Sequence, residues 1–283
     1  MPRPAAATVV TWTEPLLRFG FVVRGIIYVL PGIFALRLAI GPHGAAIPPT
    51  GAIALIGHQP YGKVLLFLVA VGLAGYALWG VIRAVLDPLR RGHSPAGIAN
   101  RLGFGLSALA HVVLLVATIR YLGGTVPQST TSQSWVAFLA ANPYGPWLLG
   151  IVGVAWTVGA GLSQIVAGWR GSFEDDLEAE RMGPGVHRWG VLLGRVGVMV
   201  RGAVFTIVGA FLVATAFHAN PHDAQGMDGA LLGLQRQPYG RWLLAVAALG
   251  IIAFGLFSLL CARWMRLGVA AAGPLPHSPH PIA

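Results

Sequence analysis

Two arginines stand inside otherwise apolar stretches at matching points of the chain. Arg24 and Arg201 each follow another arginine, Arg18 or Arg195, by six residues. In a helix, a rise of about 1.5 Å per residue places them about 9 Å deeper than those first arginines. The plainer interpretation is that such a side chain extends back to the headgroups or caps carbonyls of a neighbouring helix. The alternative is a shared site for an anion or a lipid phosphate, which suits the guanidinium fork.

Histidines are the next candidates for chemistry. His111 occupies the place that Tyr28 and Phe205 hold at equivalent points, so we interpret it as a packed ring; haem ligation would need a second histidine at similar depth. The other histidines have irregular spacing or lie in a proline-rich tail, and they predict no metal site: His43, His58, His218, His222, His277 and His280.

The sequence offers no catalytic pattern. It has no nucleophile with a base and an orienting group at plausible spacing, no facing carboxylates within an apolar run, and no phosphate-binding glycine loop. Cys261 is the single cysteine, so the chain can form neither an intrachain disulfide nor a Cys-x-x-Cys site. We therefore expect no enzyme activity and no cofactor.

The elements that position these residues are hydrophobic helices. The 283 residues are 55% hydrophobic and 10% charged, whereas soluble domains carry about a quarter charged residues. Six apolar runs reach the roughly 20 residues that cross a bilayer: 19–40, 64–82, 102–119, 147–167, 196–217 and 242–262. Pro31 interrupts the first. The composition predicts an all-α integral membrane protein with six spans.

Basic residues predict how the spans are oriented. Fourteen of the 19 fall at one side, and the five on the other side are Arg37, Lys63, Arg120, Arg236 and Arg241. Because cytoplasmic ends of spans are enriched in Lys and Arg, we expect both termini in the cytoplasm, on the side where anionic lipid is found. Arginine outnumbers lysine eighteen to one, and alanine and glycine abound, which suggests a GC-rich bacterial source and hence a bacterial plasma membrane. The net charge is +10, but the basic residues flank the spans and form no stripe with interleaved aromatic residues, so nucleic acid is not an expected partner.

A tripeptide divides the chain into three repeats. Its copies are Pro60-Tyr61-Gly62, Pro143-Tyr144-Gly145 and Pro238-Tyr239-Gly240. With the Arg-x-Gly motifs they define a unit of two spans, predicted at residues 1–86, 87–170 and 171–268, with a disordered tail at 269–283. Each unit begins and ends on one side, so the repeats are parallel, and their symmetry favours a pseudo-threefold ring.

The Pro-Tyr-Gly tripeptide predicts a corner. A short apolar segment with the periodicity of a helix precedes each copy. Proline disfavours helical geometry in the residue before it and is tolerated in the first turn of the next helix. We therefore expect a short helix on the outer interface, then a turn into the next span.

These motifs resemble those of the domain-of-unknown-function 1206 family of bacterial membrane proteins. Copy one has Arg18-Phe-Gly20, Arg24-Gly25-Ile-Ile-Tyr28, Gly51-Ala52-Ile53 and Pro60-Tyr-Gly62, and copy three has Arg195-Val-Gly197, Arg201-Gly202, Gly229-Ala230-Leu231 and Pro238-Tyr-Gly240. Copy two departs furthest, with Ser107, Ala108 and His111 in place of Arg24, Gly25 and Tyr28. The resemblance implies a six-span protein and carries no activity.

Two functions are compatible with this sequence. A non-catalytic scaffold or accessory subunit, with further membrane proteins as partners, is favoured by small residues that allow close helix contact: Gly72, Gly75, Gly153, Gly250 and Gly255. The alternative is a channel or transporter for a small anion or lipid that uses Arg24 and Arg201.

The acidic cluster 174–180 predicts a solvated surface helix that pairs with Arg181 and Arg188, or else a docking site for a basic partner or a cation.

Overall fold

The computed structural model describes residues 4–41, 47, 49–87, 95–124, 142–218 and 227–267. Within these residues the chain is almost entirely helical. A π-helical segment, Thr157–Leu162, joins α5 and α6 into one rod. The α-helices are α1 Pro4–Ile40, α2 Pro49–Gly57, α3 Gly62–Val85, α4 Pro95–Leu122, α5 Gly145–Trp156, α6 Ser163–Arg170, α7 Pro184–His218, α8 Met227–Gln235 and α9 Gly240–Trp264.

Among the described residues, six helical rods are long and apolar enough to cross a membrane, as predicted. Spans 1, 2 and 3 are α1, α3 and α4; span 4 runs from α5 to α6; spans 5 and 6 are α7 and α9. Every predicted apolar run lies inside one of these rods. The predicted interruption at Pro31 is wrong, because α1 continues through it to Ile40. We call the end where span 1 begins and span 6 ends the terminal end, and the opposite end the PYG end.

The two spans of a repeat cross at equivalent residues. A methyl group added to Gly20 would lie 2.5 Å from the backbone nitrogen of Tyr76, and one added to Gly197 would lie 2.4 Å from that of Phe254. Gly20 and Gly197 occupy the same repeat position, as do Tyr76 and Phe254. Glycine is required at both crossings because the backbones touch there.

The three repeats close into a ring. Neighbouring spans along the chain contact each other, and span 6 packs extensively against span 1. The repeat position held by Gly25, Ala108 and Gly202 lies in each case against the second span of the preceding repeat. A methyl added to Gly25, for example, would lie 2.9 Å from the carbonyl oxygen of Gly255. Because this contact recurs between each pair of successive repeats, the spans form the pseudo-threefold ring that the sequence repeats favoured.

Each Pro-Tyr-Gly tripeptide lies at the turn before span 2, 4 or 6. The glycine nitrogen of each copy donates a 2.8 Å hydrogen bond to the carbonyl three residues earlier. Tyr61 and Tyr239 adopt left-handed backbone angles, with φ of 62° and 60°. A methyl added to Gly62 would lie 2.0 Å from the carbonyl oxygen of Gly57. The final glycine is therefore the residue that lets the chain reverse this tightly.

The short helices expected before the first and third tripeptides are α2 and α8. Each buries an alanine and a branched side chain against the spans: Ala52 and Ile53 in α2, Ala230 and Leu231 in α8. The corresponding segment of the second repeat lies outside the described residues. Two sectors of the PYG end are therefore covered by short apolar helices.

The acidic cluster is not a single surface helix, so that part of the prediction is wrong, whereas the expected pairing with Arg181 is confirmed by its ion pair with Glu178. It forms two 3-10 turns, Glu174–Asp176 and Ala179–Arg181, separated by an extended Leu177 that is bridged to Met265. Leu177 is buried, and the Asp176 carboxylate is buried in an ion pair with Arg83 of span 2. Because its side chains pair with different spans, this linker folds across the terminal end of the bundle.

Candidate functional site

Arg24 and Arg201 both point into the bundle. Each side chain belongs to a residue that is only 7% exposed. Their described hydrogen bonds go to side chains, and none goes to a backbone carbonyl at the end of a neighbouring span. The burial leaves neither guanidinium extended to the surface of the bundle.

Carbonyl capping is instead performed by the first arginine of a repeat. Arg18 donates to the carbonyl oxygens of Ala262 and Arg263 at the end of span 6. Arg101 donates to those of Ala84 and Val85 at the end of span 2, which are the repeat equivalents. Since the last carbonyls of a helix lack partners within it, these arginines join each repeat to the one before it.

Arg24 lies in a neutral, aromatic environment. Its Nε donates to the Ser258 hydroxyl oxygen at 2.9 Å, and Nη1 donates to the Tyr76 hydroxyl. The guanidinium carbon lies 4.3 Å from the centroid of the Tyr76 ring and 4.9 Å from that of Phe21. Cation–π contact and hydroxyl oxygens solvate the charge in part, but they do not neutralise it.

Arg201 has an environment of the same kind, built from other spans. Its Nε donates to the Tyr28 hydroxyl oxygen of span 1 at 3.1 Å, and Nη1 donates to Gln164 Oε1 of span 4. Its guanidinium carbon lies 4.3 Å from the centroid of Phe205. A side chain of span 5 is thus held by residues of spans 1 and 4.

One aromatic ring connects the two arginines. The guanidinium carbons of Arg24 and Arg201 lie 5.0 and 4.6 Å from the ring centroid of Phe254. The two positive charges are therefore at most about 10 Å apart. With an effective dielectric constant of about 20, they repel each other by at least about 1.7 kcal/mol. We call Arg24, Arg201, Tyr28, Tyr76 and Phe254 the arginine cluster.

No carboxylate pairs with this cluster among the described residues. The described ion pairs all lie elsewhere in the bundle. Arg83 shows the difference, because it is a buried arginine that forms an ion pair with Asp176. Burying an unpaired ion costs several kcal/mol even after relaxation. Two such arginines side by side place two positive charges inside the bundle that no described carboxylate balances.

The second repeat has different residues at the positions that form the arginine cluster in the other two repeats. Its residues at the cluster positions are Ser107 for arginine, His111 for Tyr28, and Gly159 for Tyr76 and Phe254. His111 is buried, its Nδ1 lies 2.7 Å from the Ser107 carbonyl oxygen, and its ring packs on Tyr76 at 4.4 Å between centroids. This is a packed ring, as the simpler interpretation of His111 expected.

The remaining histidines do not gather around a site in the described part of the chain. His58 lies at the first PYG turn, where its Nε2 is 3.1 Å from the Tyr121 hydroxyl. The described residues contain no group of three or more metal-binding side chains. The side chain of His218 is not described. Four further candidates lie outside the described residues: His43, His222, His277 and His280.

Sequence reasoning missed the partners of the arginines. Tyr76 and Phe254 hold equivalent positions in spans 2 and 6, so extending the repeat alignment into the second span of each unit would have singled them out. Gln164 and Ser258 gave no comparable signal, since a lone polar residue in a span does not reveal which helix it faces.

Comparisons with known proteins agree with the repeat analysis. The family model described as Domain of Unknown Function (DUF1206) matches the chain three times, over residues 19–87, 102–171 and 196–265. A relative from Bacillus subtilis (strain 168), "Uncharacterized protein YxxB", is 33% identical over 249 residues, which are 88% of this chain and 90% of the relative. No solved structure matches the chain. The chain belongs to the DUF1206 family, which confirms the resemblance found in its motifs.

Proposed function

We propose that this member of the DUF1206 family binds an anion inside the membrane, between Arg24 and Arg201, as a channel or transporter for a small anion or a lipid would do. One observation carries the proposal: two buried guanidinium groups contact the same ring, Phe254, without a carboxylate partner in the described chain. The proposed activity is binding and passage, not catalysis.

The donors of both side chains fit this role. The described hydrogen bonds of Arg24 and Arg201 use Nε and Nη1, and they leave the Nη2 amino group of each with no described partner. A phosphate or carboxylate oxygen accepts such donors strongly, because both partners are charged. It also replaces the repulsion between the two arginines by attraction to a shared centre.

A scaffold or accessory role is the second candidate. It was suggested by small residues that allow close contact between helices. In the structure these residues pack against other spans of the same chain, with Gly75 against Leu16 and Gly153 against Val213 as examples. Their contacts therefore support a compact bundle, and they give less support to a surface for partner membrane proteins than the arginine cluster gives to an anion site.

We further propose that the terminal end faces the cytoplasm of a bacterial plasma membrane, next to anionic lipid. The excess of basic residues at that end supports this orientation. Labelling of cysteines introduced at Tyr61 and Glu180 with an impermeant reagent in intact cells is the test. Reaction at Tyr61 alone is expected, and reaction at Glu180 alone would reverse the orientation.

The test of anion binding removes the charge of the cluster. The variant Arg24→Gln/Arg201→Gln replaces both charges by shorter, neutral amide side chains. Arg18→Gln/Arg101→Gln is the matched control, since it makes the same change at two arginines that lie at the terminal end. Purified proteins in nanodiscs are incubated with radiolabelled inorganic phosphate, or with phosphatidic acid in the disc, and bound ligand is measured.

The cluster variant is expected to lose binding by at least about tenfold for each arginine, because a hydrogen bond to a charged group is worth about 1.5–3 kcal/mol. The control is expected to bind as the wild type does. Thermal unfolding in detergent verifies that the variants are folded. Equal ligand binding by the wild type and the folded cluster variant would refute the proposal.

A further inference from the structure

The hairpin of the second repeat is more open than the other two. Where a methyl added to Gly20 or Gly197 would meet the partner backbone at 2.5 or 2.4 Å, one added to the equivalent Gly103 would find its nearest atom, the carbonyl oxygen of Gly159, at 3.8 Å. The two spans of this repeat therefore lie more than an ångström farther apart at their crossing. We call the space between spans 3 and 4 at Gly103 and Gly159 the seam.

Spans 3 and 4, on either side of the seam, are also less buried by the rest of the bundle than the other spans are. In their most apolar stretches spans 3 and 4 are each 22% buried, compared with 61% for span 2 and 50% for span 6. Span 3 meets span 4 mainly along the π-helical segment Thr157–Leu162. A π-helical turn widens a helix locally and often marks a functional site. Here it contains Gly159.

The seam lacks the aromatic ring that fills its two counterparts. Tyr76 and Phe254 extend from the equivalent positions into the arginine cluster, whereas Gly159 has no side chain to do so, and the Leu106 side chain of span 3 lies 3.3 Å from where a Cβ on Gly159 would stand. The neighbouring arginine position is Ser107. Unlike the first and third repeats, the second repeat therefore has neither a guanidinium group nor an aromatic side chain at these two positions.

A polar group without a partner lies beside the seam. Trp156 Nε1 is fully enclosed and has no hydrogen-bond partner in the described part of the protein. The Trp156 ring lies 5.5 Å from that of Phe205, the same ring on which Arg201 packs. An enclosed N–H group without an acceptor is costly. Trp156 lies one helical turn from Gly159, so a donor without a described acceptor is present near the seam.

Both ends of the bundle offer more cover than the seam. At the terminal end the linker lies across the spans, held by Asp176 on span 2, Glu174 on span 5 and Phe173 on span 6. At the PYG end α2 and α8 bury Ile53 and Leu231 over two of the three sectors. Among the described residues, the contact between spans 3 and 4 is the weakest of the six contacts between neighbouring spans around the ring, and these two spans are the least buried.

We propose that the ligand of the arginine cluster is an anionic lipid, whose phosphate group reaches Arg24 and Arg201 from the side through the seam. This rests on the anion-binding function proposed above and names its ligand class. The headgroup phosphate receives the Nη2 donors of the arginines, and a headgroup or ester oxygen accepts from Trp156 Nε1. The acyl chains remain between spans 3 and 4, where the uncovered apolar faces match them.

The experiment closes the seam while leaving the arginines in place. Gly103→Leu fills the crossing, and Gly159→Phe restores the ring found at the two equivalent positions. Gly105→Leu is the matched control: a methyl at Gly105 also has its nearest atom at 3.8 Å, but that atom belongs to Ala84 of span 2. Trp156→Phe removes the N–H donor and keeps an aromatic ring, so it tests the site even if a larger side chain disturbs folding.

The probes are phosphatidic acid in phosphatidylcholine nanodiscs, measured by native mass spectrometry, and radiolabelled inorganic phosphate, measured by equilibrium binding. Closing the seam is expected to lower retained phosphatidic acid by about tenfold or more and to leave inorganic phosphate binding unchanged. Trp156→Phe is expected to lower phosphatidic acid retention by a similar factor, and Gly105→Leu to retain it.

Three results would overturn the proposal of an anionic lipid that reaches the cluster through the seam, while leaving anion binding intact. These are undiminished lipid retention in folded seam variants, equal loss of lipid and inorganic phosphate in them, and a wild type that binds inorganic phosphate but no phosphatidic acid. Failure of the underlying function gives a different result, in which Arg24→Gln/Arg201→Gln binds both probes as the wild type does.

Discussion

Replacing Asp176 by asparagine tests whether the linker is a structural part of the bundle. The Asp176 and Arg83 side chains are 8% and 5% exposed, and Oδ2 lies 2.8 Å from Nη2. The guanidinium carbon of Arg83 also lies 3.5 Å from the ring centroid of Phe104. Asp176→Asn keeps the size of the side chain but removes the carboxylate that forms this ion pair with the buried Arg83.

The expected cost follows from this burial. Removing one partner of a buried ion pair destabilises a protein by about 3–5 kcal/mol, because the other charge stays desolvated. The pair between Arg266 and Glu180 is the internal comparison, with side chains 24% and 58% exposed. Solvent screens that pair, so Glu180→Gln is expected to cost less than about 1 kcal/mol.

Equilibrium unfolding in mixed detergent and sodium dodecyl sulfate, followed by circular dichroism, measures both variants. The double variant Arg83→Met/Asp176→Asn is expected to regain much of the loss, because the buried guanidinium group is then removed together with the carboxylate. If Asp176→Asn proves no more costly than Glu180→Gln, or if removing Arg83 restores nothing, the linker is not held by this buried pair and our account of the terminal end is wrong.

Two further predictions concern packing and charge. Gly197→Ala is expected to destabilise the fold by about 1–3 kcal/mol, because its methyl would lie 2.4 Å from the Phe254 backbone, whereas Gly103→Ala has room and should be near neutral in the same unfolding assay; equal costs would contradict the open hairpin. The pKa of Glu180 is lowered from its ordinary 4.5, first by a hydrogen bond from its own backbone N–H and then by Arg266, so its stabilising contribution is present above pH 4.5 and is lost as the pH falls through the lowered folded-state pKa. A series of unfolding measurements from neutral to acid pH should show a shallower acid decline in Glu180→Gln, and an unchanged slope would argue against that interaction.

Several features of this protein are local in the chain and could be predicted from it. Spans follow from runs of apolar residues, because crossing a bilayer demands length and hydrophobicity from each segment separately. The PYG turns follow from the fixed conformational limits of proline and glycine. The repeat of Arg24 at Arg201 is visible because the two share a position in a repeated sequence, whatever their neighbours are.

Predictions that depended on distant neighbours fared worse. The acidic linker was expected to be a solvated helix, because charge density is typical of a surface, yet Asp176 is buried beside Arg83. Nothing along the chain indicates that a span 93 residues earlier supplies its counter-ion. The expected break at Pro31 is also absent: α1 is continuous there, and the adjacent Gly32 packs closely against Ile252 of span 6.

The sequence by itself determined that six spans arise from three copies of one hairpin, and that two of these copies carry a deep arginine. Only the tertiary structure decided that the two arginines meet at Phe254 and that the second hairpin is the open one. The reason is that burial and hydrogen bonding depend on which helices become neighbours. Closing the ring brings span 6 against span 1, and it is this contact between the two ends of the chain that gathers the charges.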